Sequence, residues 1–165
     1  MKIRDEGPID IDVIRAVTRE AFKLVEHSDQ NESEIVEALR NSGALSISLV
    51  AVEGAEIVGH VAFSPVSIEG VDKGWFGLGP VSVRPDMQQN GIGTALIEEG
   101  LQRLLAMSAK GCVVLGDPSY YSRFGFEADS GLFLDGVPPE YFMRRVFDGD
   151  APQGRVAYHE GFDAA

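Results

Sequence analysis

The chain has 165 residues, of which 44% are hydrophobic and 24% charged, and this length and composition suit one soluble globular domain. Its formal net charge of −12, from 14 Lys and Arg against 26 Asp and Glu, argues against nucleic-acid binding, which requires a basic face. No stretch approaches the roughly 20 apolar residues of a membrane span, the start of the chain has no apolar signal region, and the one cysteine, Cys112, cannot form an internal disulfide, so a cytoplasmic protein is expected.

The first forty residues predict two helices. Pro8 stands at a helix entry, and apolar residues then recur at helical spacing through about residue 24, at Ile9, Val13, Val17 and Phe22. A polar stretch, residues 27–31, ends this helix. The second helix is predicted over Glu34 to Arg40 and stops at Asn41-Ser42-Gly43.

The middle of the chain predicts strands and one long helix. Leu45 to Val52 and Ile57 to Ile68 form a hairpin around residues 53–56, and His60 on its second strand is expected to have an ordinary packing or surface role. A further strand begins at Trp75. It is followed by a helix from Gly91 to about Ala109, a strand over residues 112–115, and a short helix that carries two tyrosines.

A glycine-bearing turn, Gln88-Gln89-Asn90-Gly91-Ile92-Gly93, joins the strand that starts at Trp75 to the long helix. Such a turn presents several unpaired backbone N–H groups at one point and can hold a phosphate. No P-loop sequence occurs, and Leu96 stands where the dinucleotide fingerprint requires Gly or Ala, so both common nucleotide motifs are excluded. The alternative is a glycine-rich helix start without a ligand.

Two further features flank this turn. Gly79 and Pro80 interrupt the preceding strand, and because Pro80 has no N–H to give, two parallel neighbours could separate there and leave a notch. The alternative is a kinked edge strand. Downstream, the segment 120–126 (Tyr-Tyr-Ser-Arg-Phe-Gly-Phe) follows an apolar run; Tyr121 in it is either a functional phenol or a packed aromatic with a satisfied hydroxyl.

The pattern Gln-x-x-Gly-x-Gly at 88–93, together with the segment 120–126, resembles the two signatures of the GNAT N-acetyltransferase superfamily. The resemblance covers about residues 1–128. It implies an α/β fold with a mixed, mostly antiparallel twisted sheet, a V-shaped split between two parallel strands, and flanking helices. We treat residues 1–165 as one domain, in which 129–165 add strands, predicted at Gly131–Val137, Tyr141–Phe147 and Gly154–Tyr158, or cover the substrate groove.

The resemblance also implies the site. The diphosphate of acetyl-coenzyme A would lie on the turn and helix start, its pantetheine arm would lie along the interrupted strand, and Tyr121 would lie near the thioester sulfur as a proton donor, with no metal involved. The residues implied for cofactor binding are Val81, Ser82, Val83, Gln88, Gln89, Asn90, Gly91, Ile92, Gly93 and Thr94. Asp117 departs from the asparagine that the family often has in this region, so its role is not carried over.

The implied reaction is transfer of an acetyl group from acetyl-coenzyme A to a primary amine of a small molecule or peptide, by direct attack in a ternary complex. No carboxylate occurs in Trp75–Leu78, where some family members carry a base; Glu26, His27 and Glu34 are the remaining candidates. The alternatives are a coenzyme A-binding sensor without acceptor chemistry and a transferase that uses a longer acyl chain or an oxygen acceptor. A monomer or homodimer is expected, without nucleic-acid or membrane partners.

Overall fold

The computed structural model describes all 165 residues as one mixed sheet flanked by helices. The strands are β1 (Lys2–Asp5), β2 (Ile47–Glu53), β3 (Glu56–Ile68), β4 (Val71–Val83), β5 (Gly111–Leu115), β6 (Glu127–Ala128), β7 (Leu132–Phe133), β8 (Phe142–Val146) and β9 (Gly154–Tyr158). The helices are α1 (Ile11–Phe22), α2 (Glu32–Asn41), α3 (Ile92–Ala106) and α4 (Pro118–Tyr121). None of them combines the length and the apolar character that crossing a bilayer requires.

The sheet runs in the order β1-β2-β3-β4-β5-β8-β6, and β9 pairs with both β3 and β7. The pairs β4–β5 and β7–β9 are parallel, and the other pairs are antiparallel. The mixed, mostly antiparallel sheet predicted from the sequence is therefore confirmed. Strand β8 inserts between β5 and β6, so the segment after residue 128 supplies an interior strand of the sheet.

The two parallel strands β4 and β5 diverge after three residue pairs. Strand β4 pairs with β3 along its length, from Val71 to Val83, but with β5 only from Trp75 to Gly77. Strand β5 continues for two residues beyond Val113, the partner of Gly77, and these two residues pair only with β8. A split bounded by β4 and β5 therefore opens at Gly77, as the sequence predicts.

An irregularity in the β3–β4 ladder lies at the start of this split. Two steps on β3, from Val61 to Phe63, oppose three steps on β4, from Leu78 to Val81. The extra residue falls at Gly79-Pro80, where Gly79 has a φ of +131°. A bulge increases the local bend and twist of its strand, and it turns β4 away from β5 where their pairing ends.

The sheet buries different apolar clusters on its two faces. Helix α3 covers one face with Leu96, Ile97 and Leu104, which pack on Phe63 and Val114 among others. The other face carries Ile14 and Val17 of α1 and Val36 of α2, together with a separate cluster formed by Trp75, Val113, Phe142 and Val156. These helices therefore form because each has an apolar stripe that only the sheet can bury.

Several predicted boundaries differ from those observed. Strand β4 begins at Val71 because Glu69 and Gly70, with φ of +51° and +75°, form a two-residue hairpin turn that the sequence reading did not identify. Helix α3 ends at Ala106, three residues early. The strand predicted over Gly131–Val137 contains only the two residues of β7, and the short strand β6 was not predicted.

A buried chain of polar groups crosses the sheet at His60, which is fully buried, so that of the two roles expected for it the structure shows packing. Its Nε2 lies 2.7 Å from the Ser48 hydroxyl, which hydrogen-bonds to the Glu6 carboxylate, itself paired with Arg40 at 2.8 Å. Because Ser48 donates to Glu6, Nε2 of His60 must carry the proton, and Nδ1 is left as an unpaired acceptor. Burial lowers the pKa of His60 to about 4.

Acidification should therefore destabilise the fold through His60. Unfolded histidine titrates near pH 6.5 whereas His60 resists protonation down to about pH 4, so the unfolded state binds more protons between these values. We expect the free energy of unfolding to fall by about 2 kcal/mol from this residue between pH 7 and pH 4.5. Urea denaturation of the parent and of His60→Asn at both pH values measures the effect. The titration of surface groups is common to both proteins, so the difference between their losses is the contribution of His60. Equal losses in the two proteins would contradict it.

Candidate functional site

A depression of about 360 Å³ lies at the N-terminus of α3, where the end of β4, the glycine-bearing turn and α4 meet. Most of the residues that the sequence implied for cofactor binding line it. The full lining is Val83, Met87, Gln88, Gln89, Gly91, Ile92, Gly93, Thr94, Tyr120 and Arg123. Of these, Met87, Tyr120 and Arg123 were not predicted.

The floor of the depression is formed by backbone amides without a protein acceptor. Gly91 has a φ of +80°, which ends the turn and starts α3. The first helical hydrogen bond is donated by the Ala95 amide to Gly91 at 3.0 Å, so the amides of residues 91–94 remain free. The Asn90 side chain donates to the Met87 carbonyl at 3.1 Å and holds the turn. Free amides at a helix N-terminus form an anion-binding site.

Gly93 leaves the space above these amides open. A Cβ built there would come no closer than 3.7 Å to any side chain, so protein packing does not require glycine at this position. Gly100, two turns further along α3, differs, because a Cβ there would lie 2.1 Å from the Phe63 ring. The absence of a side chain at Gly93 therefore serves the close approach of another molecule to the backbone.

The charges around the depression are favourable to an anion in spite of the net charge of −12. Asp86, the acid nearest the turn in sequence, pairs with Arg84 at 2.7 Å, and this ion pair lowers the pKa of Asp86. Arg123 lines the depression, lies over the Tyr120 ring at 4.4 Å and is in no ion pair. With the nearby carboxylate neutralised, Arg123 and the amides set the local potential.

The ladder geometry directs backbone groups of β4 into the split. The Arg84 amide donates to the Val58 carbonyl at 2.8 Å, and since backbone groups of a strand alternate in direction, those of Val81 and Val83 point away from β3 toward β5. The Val83 carbonyl accepts from the Gln88 side chain at 3.0 Å. Because β5 does not pair here, these amides are open to an extended ligand.

Ser82 has a different environment from its two neighbours. By the same alternation its backbone groups face His60 on β3, and its side chain is buried on the face opposite α3, where the hydroxyl has no partner. Neither the backbone nor the side chain of Ser82 therefore points into the split. Contact of Ser82 with a pantetheine arm stays a prediction.

Tyr121 lies beyond the depression, on the inner side of α4. Its ring packs on Gly116, where a Cβ would lie 2.4 Å away, and meets the edge of Phe126 at 6.2 Å. Burial, with a smaller effect of Tyr120, raises the pKa of Tyr121 to about 12, so the phenol is protonated at neutral pH. Unlike the Tyr120 hydroxyl, which lies 3.0 Å from Thr94 Oγ1, the Tyr121 hydroxyl has no hydrogen bond within the protein.

The other residues considered for acid–base roles are engaged or distant. Glu34 pairs with Arg19 at 3.3 Å, and Glu26 and His27 are exposed in the connection between α1 and α2. None of these lines the depression. Asp117 caps α4 by accepting from the Ser119 amide at 2.9 Å, which fits its departure from the family pattern.

Comparison with known proteins identifies the family. The profile of the acetyltransferase (GNAT) domain matches residues 44–128. The chain belongs to the GNAT acetyltransferase family. It is 37% identical over 170 residues to the uncharacterized N-acetyltransferase YhbS of Escherichia coli K12, with 99% of each chain covered. The predicted membership and fold are thus confirmed.

Two solved structures of this family resemble the chain over nearly its whole length. A GNAT family acetyltransferase from Brucella melitensis, in complex with acetyl-CoA, is 52% identical with a TM-score of 0.89, covering 98% of this chain and 97% of that one. YhbS from E. coli in complex with CoA is 34% identical with a TM-score of 0.90, covering 98% and 91%. Both of these solved relatives were therefore crystallised with a coenzyme A species bound, acetyl-CoA in the first and CoA in the second.

The two glycines of the turn should differ in their effects on stability. Gly91→Ala places a side chain in the left-handed region, so we expect the free energy of unfolding to fall by about 1 kcal/mol. Gly93→Ala adds a methyl group to a helical residue without a clash and should leave stability unchanged or slightly raised. Urea denaturation of both variants measures the difference; a loss at Gly93 equal to that at Gly91 would show that protein packing requires this glycine.

Proposed function

We propose that the protein is an N-acetyltransferase that transfers the acetyl group of acetyl-coenzyme A to a primary amine of a small molecule or peptide. The observation that supports this most directly is the continuity of the site. Free amides at the start of α3 adjoin the amides of Val81 and Val83, which have no strand partner, and these adjoin the split that opens at Gly77. Such a path fits a ligand with a diphosphate at one end and an extended amide-bearing arm at the other.

Different residues of this path would bind the diphosphate and the arm of the ligand. The amides of residues 91–94 and the guanidinium of Arg123 would hold the diphosphate. The Val81 and Val83 backbone groups would pair with the arm as a neighbouring strand does. Thr94, bonded to Tyr120, joins the start of α3 to α4 and fixes the width of the entrance. Gln88, Gln89 and the other turn residues contribute the remaining lining.

Bound acetyl-coenzyme A supplies an activated acetyl thioester. The protein then has to place an amine against it, stabilise negative charge on the carbonyl oxygen and protonate the leaving sulfur. An amide of β4 nearer the closed end of the split, where the thioester would lie, can donate to the oxygen. The Tyr121 hydroxyl, protonated and without a protein partner, can donate to the sulfur. Positioning of the two reactants contributes several kcal/mol to lowering the barrier.

The acidic surface favours a cationic amine as acceptor, which must lose a proton before it attacks.

A sensor that binds the coenzyme without transferring the acetyl group is distinguished from the enzyme by one assay. The proposed enzyme releases free thiol from acetyl-coenzyme A when an amine from a panel of peptides, lysine derivatives, aminoglycosides and polyamines is added. If the protein binds the coenzyme but no amine of the panel causes thiol release, the result would support the sensor.

Tyr121→Phe should lower turnover far more than it lowers affinity for the coenzyme. Loss of the proton donor is expected to reduce kcat on the order of 10²-fold, while the Kd for coenzyme A, measured by calorimetry, changes less than about twofold because the ring is kept. Tyr120→Phe is the matched control. It removes the bond to Thr94 at the entrance and should weaken coenzyme binding about three- to tenfold, with kcat much less affected. Equal kinetics for Tyr121→Phe and the parent would remove the assigned role.

Gly93→Ala should weaken coenzyme A binding without loss of stability. Its methyl group would occupy the space over the free amides that the diphosphate needs. We expect the Kd for coenzyme A to rise about tenfold or more, corresponding to the loss of at least one charge-assisted hydrogen bond. Calorimetric titration at fixed salt measures this. If Gly93→Ala binds the coenzyme as the parent does, the diphosphate does not lie on the start of α3.

A further inference from the structure

We propose that Tyr158, on the last strand of the chain, sets the length of acyl group that the site accepts by closing the inner end of the split. This inference rests on the proposed function, since it assigns a specificity-determining residue to the same donor site. Tyr158 is the last residue of β9 and lies outside both sequence signatures. Its position follows from three sets of contacts.

The ring of Tyr158 lies on the backbone of β4 where the split begins. A Cβ built at Gly77 would come 2.3 Å from Cε1 of this ring and 3.1 Å from Val66 Cγ1. Gly77 and its partner Val113 form the last pair of the parallel β4–β5 ladder. The glycine therefore admits an aromatic ring directly over the closed end of the split, in a space where a side chain on β4 would otherwise lie.

The ring lies on the face opposite α3. Tyr158 packs against the cluster that contains Trp75 and Val113, whereas α3 packs on the other face. A donor held at the start of α3 and extended along β4 has its acyl end at the closed end of the split. An acyl chain longer than acetyl would have to continue past Gly77 and into the Tyr158 ring.

The backbone and the following residues hold this ring in place. Tyr158 pairs with Val66 at the end of β3, and its ring stacks at 4.8 Å on Phe162, in the turn that packs against α2. His159 accepts from the Gly161 amide at 2.9 Å and fixes the bend between the two rings. Burial raises the pKa of Tyr158, with smaller contributions from Cys112 and Tyr121.

Binding of acyl donors without an amine tests this assignment apart from catalysis. Calorimetry would give the Kd of coenzyme A, acetyl-, butyryl- and hexanoyl-coenzyme A for the parent, Tyr158→Ala and Tyr158→Phe. In the parent, butyryl-coenzyme A should bind more weakly than acetyl-coenzyme A. In Tyr158→Ala, the ratio of the butyryl to the acetyl Kd should fall on the order of tenfold, because two added methylene groups become buried instead of excluded. Tyr158→Phe keeps the ring and should keep the parent's ratio within about twofold.

Two further variants cover a failure of Tyr158→Ala to fold. Tyr158→Val places a β-branched residue, which favours strands, in β9 and should relax the selection in the same direction. Gly77→Ala should do so from the opposite strand, because its methyl group displaces the ring. An unchanged ratio in folded Tyr158→Ala or Tyr158→Val, or an equal shift in Tyr158→Phe, would overturn the inference. If the parent binds neither coenzyme A nor acetyl-coenzyme A, the proposed function itself fails instead.

Discussion

The functional geometry depends on the unequal pairing of β4, which follows β3 for its whole length but follows β5 for only three residues. Pairing with β3 fixes which backbone groups of β4 are used inside the sheet. The early end of the β5 pairing leaves the other set, at Val81 and Val83, without partners in β5. Open backbone groups in the interior of a sheet are costly unless water or a ligand satisfies them. The bulge at Gly79-Pro80 thus creates both the opening and the groups that line it.

The location of the split also explains how an acidic protein can favour a polyanionic ligand. Charges of the whole surface are screened beyond about 8–10 Å at physiological salt, so the donors within the depression decide the interaction. There, Arg84 compensates the charge of Asp86, the acid nearest the turn in sequence, and the amides of residues 91–94 line the same depression as Arg123.

The sequence predicts those parts of the site whose cause is local in the chain. The turn and helix start at 88–94 need glycine and free amides, and the interruption at Pro80 follows from the missing N–H, so both are visible in single segments. Tyr120 and Arg123 were missed although they adjoin Tyr121, because their roles depend on how α4 lies against α3. Strand β8 could not be placed between β5 and β6, since strand order depends on long-range pairing that periodicity does not record.

Different parts of the chain complete the two faces of the sheet, and the segment after residue 128 completes the face opposite α3. The face covered by α3 ends at the depression, where the free amides at the start of the helix and Arg123, just after α4, are the groups proposed to bind an anion. The opposite face would be incomplete without β8 and β9, which bury Val113 and Trp75 and carry Tyr158 to Gly77. Residues that no signature contains therefore shape the end of the split where the acyl group and the amine would meet. If Tyr158 selects the acyl group as proposed, chains that share the turn and the tyrosine helix can differ in what they accept through residues of the last strands.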